Sequence, residues 1–537
     1  MSFEVKYNDL CGRIGKLETL HGTLDTPVFI PVIHPVKQLI DINFIKKIGF
    51  KAVITNAYIA WKYYGDEAKK RGIHKIINFD DIVMTDSGGY QVLEYGEVKV
   101  KPTEMAEFET DIRTDIAVPL DKPTGYGLDY NNALGNVEQT IKNVQETSNI
   151  IKKNKSMNQS NEDSRKIDIV WAGPVQGAEH LDLVKRSALS FDKMGFNLMA
   201  LGSPVELMEA YEFATLSRII YTLKKVIPSK PIHLFGAGHP LTIPLAVALG
   251  CDMFDSASYI LYARDNRYLY SNGTTRLDGL TFFPCSCPIC NSFSPKELLS
   301  LDETSRTIEL AKHNLYVLKT EVNSVKNAIL EGRLWEYLMS KAHCHPKLME
   351  AVRLLKEFDN LAYGTSIFKE KAIYFTEPYD QHRPEARRFR EMITKYEPKE
   401  KFKLILYPET KMHPFYTSKE YSQLKNKFPK SEIFSYNPYL GLIPSEVSDI
   451  FPASQNLNCY EYDSNSLAEQ YPTFVNSLIQ FLDKNKKEEI IIVANNFMKQ
   501  VIYFINSKFE SQTSSYNVKI CNYEENFLFE RLEEYLK

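Results

Sequence analysis

Two groups of residues in this 537-residue chain have the types and spacing to do chemistry. The first is Cys285-Ser286-Cys287-Pro288-Ile289-Cys290, followed at a distance by His313. Three thiols within six residues and one imidazole on a later, helical segment suit a closed tetrahedral Zn²⁺ site. Pro284 and Pro288 keep that loop from being a core strand, and a closed site braces structure rather than catalysing. The second group is a series of polar residues, each lying just beyond a short apolar run: Asp86, Asp121, Gln176, Gly202-Ser203, Gly236-Ala237-Gly238 and Asp255. Each has an ordinary structural use, Asp86 as an Asx turn and Asp121 or Asp255 as helix caps. Their repetition at one relative position argues for a shared site. Two or more carboxylates around a pocket suit reaction at an acetal-like carbon, one at the oxocarbenium-like centre and another moving protons. Neighbouring amide and N–H groups suit a polar heterocycle. Glycosyl transfer or hydrolysis is as far as the spacing reaches.

The elements that must position these residues are short apolar runs at 28–32, 52–55, 82–85, 116–120, 167–171, 198–201, 232–235 and 253–254. Their average separation of roughly 30 residues is that of a βα unit. Eight units predict an α/β fold, a (β/α)₈ TIM barrel of about 250 residues, with a doubly wound open sheet as the rival. In a barrel the polar residues would line the C-terminal mouth, where barrel active sites lie. The polar stretch 152–166 reads as a solvated loop.

Composition sets the frame. Apolar content of 44%, charged content of 25% and a net charge of −3 describe an ordinary globular chain and argue against a protein that coats nucleic acid nonspecifically. The N-terminal residues lack the basic start and apolar run of a signal peptide, no stretch approaches a membrane span of about 20 apolar residues, and eight cysteines in so long a chain are no disulfide scaffold. A reducing cytoplasm is the expected location.

Taken together, Thr85-Asp86-Ser87-Gly88-Gly89-Tyr90-Gln91, Val175-Gln176-Gly177, Ala200-Leu201-Gly202-Ser203, Asp252-Met253-Phe254-Asp255-Ser256 and the Cys285/Cys287/Cys290/His313 set resemble the tRNA-guanine transglycosylase family, in its archaeal branch, over residues 1–355. The resemblance implies a (β/α)₈ barrel with a zinc-bearing insertion holding one structural Zn²⁺. It implies that Asp255 is the nucleophile at C1′ of a target guanosine and that Asp86 is the acid/base. Asp121 would read the N1/N2 edge of the purine, with Gln176 and the Gly202 N–H at its oxygen and Tyr90 and Phe235 as stacking faces. The substrates implied are tRNA, guanine and 7-cyano-7-deazaguanine (preQ0), inserted at position 15 of the D-arm on the route to archaeosine. Asp252 competes with Asp255 for the nucleophile's place; Asp255 is preferred because it ends the apolar Met253-Phe254 run. The stretch from Tyr259 to Tyr270 interleaves aromatic and basic residues, and Arg264, Arg267 and, further on, Arg276 are the expected RNA contacts, against a half-buried strand with snorkelling arginines.

Residues 356–400 read as a helical linker with a basic helix beginning near Arg383, a solvated face or an RNA contact, and 401–537 as a smaller α/β domain with strands near 402–407 and 489–494. This tail resembles the one that archaeal transglycosylases share with archaeosine synthase. Here, however, the corresponding stretch reads Pro408-Glu409, His413-Pro414-Phe415, Ser418 and Tyr421, so that Glu409, His413, Phe415 and Tyr421 stand where the synthase motif has its cysteine, lysine, tyrosine and histidine. A synthase-like enzyme is therefore the secondary reading, and a non-catalytic tRNA-binding subunit the third. After about residue 510 too little sequence follows for the PUA domain of many family members. That leaves tRNA to the barrel and a homodimeric partner, or to a separate PUA protein.

Overall fold

A computed structural model describes residues 3–89, 100–159, 168–359, 361, 364–397, 403–458, 467–508, 516–523 and 532. They form two compact units, Met1–Gly364 and Thr365–Lys537.

The first unit is the predicted barrel. Strands β4 (Val28–Pro31), β5 (Ala52–Asn56), β6 (Ile82–Asp86), β7 (Ile116–Val118), β8 (Val170–Val175), β9 (Leu198–Leu201), β10 (Ile232–Leu234) and β11 (Met253–Ser256) pair in parallel, in the order β4-β11-β10-β9-β8-β7-β6-β5. A parallel bridge between Val32 and Ile54 closes the circle, with the Ile33 N–H on the Ile54 carbonyl at 2.7 Å. Inward residues of alternate register, among them Ile30, Ile54, Met84, Val118, Ala172, Ala200 and Met253, fill the interior with apolar side chains, so the barrel is a packed core and its chemistry is confined to its ends.

Two features depart from the sequence reading. The fifth strand, expected over 167–171, runs instead over Val170–Val175, through Gly173-Pro174. Those residues are expected just past the strand, but a Cβ at position 173 would press on the Phe191 side chain at 2.8 Å; glycine there lets helix Leu181–Met194 lie against the strand. Ahead of the barrel, β1 (Phe3–Asp9), β2 (Gly12–Thr19) and β3 (Gly22–Thr26) form an antiparallel sheet that the run of apolar residues did not announce. Leu17 and Leu24 of this sheet join the barrel's interior cluster and close its N-terminal end.

The second unit is α/β as expected. A five-stranded sheet of order β17-β16-β15-β19-β20 is built from β15 (Lys403–Pro408), β16 (Glu432–Asn437), β17 (Gly441–Pro444), β19 (Glu489–Ala494) and β20 (Val518–Asn522). Ile373, Phe375, Ala386 and Phe389, from the stretch read as a linker, lie in this unit's core. Arg383 is no part of a basic face. It is fully buried, and its guanidinium meets Glu385, which Lys369 also contacts at 2.5 Å. Ser418, in the place of the synthase motif, caps helix Lys419–Lys427 by accepting the Tyr421 N–H. No helix among the described residues is long and apolar enough to cross a membrane.

Candidate active site

Because parallel strands end together, the barrel collects Asp86, Asp121, Gln176, Gly202 and Asp255 at one face. Asp86 ends β6 and accepts the Asn56 side-chain amide from the neighbouring β5 at 3.2 Å. Asn56 is itself held by the Ile59 N–H, which its Oδ1 caps at 2.8 Å. Burial, and then the Asp121 charge, push the Asp86 carboxyl up to about 7 against the Gly88 N–H that favours its anion. Burial likewise raises Asp121 to about 6, with the Gln176 amide opposing.

Asp121 and Gln176 form a single polar wall. Gln176 Nε2 donates to Asp121 Oδ2 at 2.6 Å, while its Oε1 accepts from the Thr124 N–H at 2.9 Å and the Ser203 hydroxyl at 3.1 Å. Two glycines make that wall possible. A Cβ at Gly89 would fall inside the Asp121 carboxylate, and one at Gly202 inside the Gln176 amide. The Gly202 N–H itself is donated to the Val175 carbonyl at 2.9 Å, within the β8/β9 ladder. Asp255 is buried at the end of β11, where its Oδ1 accepts from His233 Nε2 at 2.8 Å and from the Gly236 N–H at 3.2 Å. Phe235 is half-buried, its ring 4.7 Å from that of His233. Tyr90 lies outside the described residues.

The thiol loop and His313 come together as the spacing predicted. The Sγ atoms of Cys285, Cys287 and Cys290 and the His313 nitrogen all lie within 4.8 Å of one another. His313 Nδ1 is 3.4 Å from Cys287 Sγ and 3.3 Å from Cys290 Sγ. A tetrahedral ion about 2.3 Å from sulfur and 2.0 Å from nitrogen sets ligand separations of roughly 3.5 Å, so the donor set fits a metal. The second layer fits too. His313, on helix Glu303–Leu330, donates Nε2–H to the Leu269 carbonyl at 2.8 Å, leaving Nδ1 as the ligand atom. Tyr268 stacks on the His313 ring at 3.9 Å, and its hydroxyl is 3.3 Å from Cys290 Sγ.

The sequence model described as queuine tRNA-ribosyltransferase matches residues 9–347. The chain belongs to that family. Among its relatives, the tRNA-guanine(15) transglycosylase of Saccharolobus solfataricus is 41% identical over 507 residues, 91% of this chain and 96% of the relative. That of Sulfolobus acidocaldarius is 39% identical over 496 residues, 91% and 95% of the two chains. That of Methanocaldococcus jannaschii is 36% identical over 524 residues, 95% of this chain and 76% of the relative.

Within this barrel the two aspartates at β11, Asp252 and Asp255, separate cleanly. Asp252, before the strand, is at the opposite end of the barrel, locked by a bidentate ion pair with Arg13 at 3.0 and 2.6 Å. The arginines of the 259–276 stretch differ among themselves. Arg264 and Arg276 are exposed, Arg276 3.5 Å from Asp278, whereas Arg267 donates to Thr274 across the hairpin of β12 (Arg267–Tyr270) and β13 (Gly273–Arg276). Tyr259 and Tyr268 are buried, Tyr259 donating to the Val32 carbonyl at 2.7 Å, so they are framework rather than stacking faces.

Three residues near the mouth escaped the sequence reading: Asn56, His233 and Glu109. Glu109, fully buried on helix Pro102–Asp111, accepts the Thr85 hydroxyl at 2.8 Å; burial raises its carboxyl well above the usual range, and the Asp86 charge adds to the rise. Only Asn56 carried a local signal, as the polar residue ending an apolar run.

Proposed function

We propose that the chain is a tRNA-guanine(15) transglycosylase, exchanging guanine at position 15 of the tRNA D-arm for preQ0 in archaeosine biosynthesis. The observation that carries this reading is the presence of two carboxylates with different surroundings at one mouth: Asp86 with its carboxyl raised to about 7, and Asp255 held by N–H donors. Asp255 attacks C1′ of the target ribose; the C1′–N9 bond breaks, and its electron pair leaves with guanine, which takes the proton of Asp86. The incoming base then gives its N9 proton to the Asp86 carboxylate, N9 bonds to C1′, and the Asp255 carboxylate departs. A group titrating near neutrality can serve both half-reactions, once as acid and once as base. Asp121 and Gln176 read the purine edge as one hydrogen-bonded unit, and extracting the base from its stack brings it to them.

On this reading the Cys285/Cys287/Cys290/His313 set holds one Zn²⁺ that braces the hairpin carrying Arg267 and Arg276 and takes no part in bond making. Elemental analysis should find one zinc per chain. Arg264, Arg267 and Arg276 meet the tRNA backbone, and binding should weaken with salt accordingly. A second copy of the chain or a separate PUA protein completes the grip on tRNA, in the cytoplasm.

The test is incubation with tRNA and labelled guanine or preQ0. Label should enter the RNA and a covalent protein–tRNA adduct should survive denaturation, both lost in Asp255→Ala. Binding of tRNA without exchange would make the chain a tRNA-binding subunit, and conversion of preQ0 already in tRNA would make it synthase-like.

A further inference from the structure

We infer that His233 is a positioning residue for the Asp255 carboxylate, fixing which of its oxygens attacks; the inference rests on Asp255 being the nucleophile. An ionised carboxylate can only accept, so the 2.8 Å contact requires the hydrogen on His233 Nε2. The Gly236 N–H lands on the same oxygen at 3.2 Å. Both donors therefore hold Oδ1, and Oδ2 has no hydrogen-bond partner among the described residues. A carboxylate gripped by one oxygen cannot turn about its Cβ–Cγ bond without losing both bonds, so Oδ2 stays the free, nucleophilic oxygen.

The other side of the imidazole strengthens the case. His233 is wholly buried, and its Nδ1 has no partner among the described residues. Buried histidines that serve packing usually satisfy both ring nitrogens. Among the described residues the ring's polar attachment is the Asp255 carboxylate alone, and its backbone sits in the middle of β10, paired on one side with Ala200 of β9 and on the other with Met253 of β11. A site group held by a central strand keeps its orientation better than one held by a loop. Gly236 supplies the second donor from a backbone at φ 72°, a conformation open to glycine.

The experiment compares His233→Leu, which removes the donor, with His233→Gln, whose side-chain amide places an N–H near the position of Nε2. Guanine exchange is followed under steady state, and formation of the covalent tRNA adduct in a single turnover. His233→Leu should lower kcat and the rate of adduct formation by about 10²-fold, the scale of a lost orientation, with KM for tRNA within about threefold of the parent. His233→Gln should recover all but about tenfold, and thermal melting should show both variants folded. If His233→Leu does not fold, His233→Gln alone decides: adduct formation within tenfold of the parent supports the role, and a 10²-fold loss overturns it. Exchange in His233→Leu at the parental rate, or a Gln variant as slow as the Leu variant, also overturns it. Asp255→Ala is the control that separates the two ideas. Exchange retained there removes the nucleophile reading and this inference with it. Exchange lost there but intact in His233→Leu removes this inference alone.

Discussion

The two ends of the barrel use aspartate in opposite ways. At the N-terminal end, Asp252 receives the Arg13 guanidinium on both oxygens and the Ile232 N–H besides. Asp115 there accepts from the Val83 and His21 N–H groups and lies against the His21 and His74 rings. At the C-terminal end, Asp86, Asp121 and Asp255 meet, among the described residues, amides, backbone N–H groups and an imidazole. Burial raises the carboxyl at both ends, but at Asp115 the bonds from His74, Val83 and His21 outweigh it and hold the group below the usual range, whereas at Asp86 it prevails. One end fixes charge in place to hold the barrel shut, and the other leaves it poorly compensated, where a proton or, on the function proposed above, a ribose carbon can use it.

Removing one aspartate from each end of β11 is the strongest way to break this comparison. Asp252→Ala strands Arg13 in a buried site with neutral acceptors, the Pro228, Ser229 and Lys230 carbonyls, in place of its counter-charge, and should lower the unfolding free energy by about 3–5 kcal/mol. Asp255→Ala, which leaves the buried His233 Nε2–H without its acceptor, should lower it by no more than about 1–3 kcal/mol while abolishing exchange. Urea denaturation of the two variants measures both, and equal losses would end the distinction.

The next effect has the opposite sign. With a folded-state value of about 7 against an ordinary 3.8, Asp86 stabilises the fold in full below pH 4, and that contribution is lost as pH rises toward and through 7. Asp86→Asn should therefore match the parent in acid and exceed it at pH 8 by about 1–3 kcal/mol, after allowance for relaxation around the charge. The same variant should slow exchange by about 10²–10⁴-fold. A variant less stable than the parent at pH 8 would show that the mouth is not strained by its carboxylates.

Why one end was legible in the sequence and the other was not follows from this contrast. Asp86, Asp121 and Asp255 each stand directly after an apolar run, so a local pattern repeated along the chain marks them. The thiol loop is local as well, with only His313 coming from afar. At the closed end, Arg13 and Asp252 are 239 residues apart, His21 and Asp115 94, and His74 and Asp115 41. No periodicity links them, and β2, reading Gly-Arg-Ile-Gly-Lys-Leu-Glu-Thr, has too few apolar residues to stand out. His233 was hidden differently. It sits inside an apolar run, where an imidazole is ordinarily core, and only the fold places Asp255 beside it.

The smallest expected effects grade the closed end itself. Asp115 is held low, so its contribution to stability is present above the ordinary carboxylate range and is lost as pH falls through its folded-state value. His74, whose side chain is 12% exposed, makes its 2.9 Å bond largely out of water, and His74→Ala should destabilise by about 1–2 kcal/mol near neutrality. His21 is 40% exposed, its ring bond is screened, and its backbone N–H would survive the substitution, so His21→Ala should cost under about 1 kcal/mol. Both differences should shrink in acid, as Asp115 takes up a proton, whereas the Asp86→Asn difference shrinks in acid from the other side, as a gain that disappears. Denaturation of the three variants from pH 8 down to pH 2 should therefore give two losses and one gain converging on the parent toward the acid end. A loss for His21→Ala as large as that for His74→Ala would mean that burial does not set the strength of the brace around Asp115.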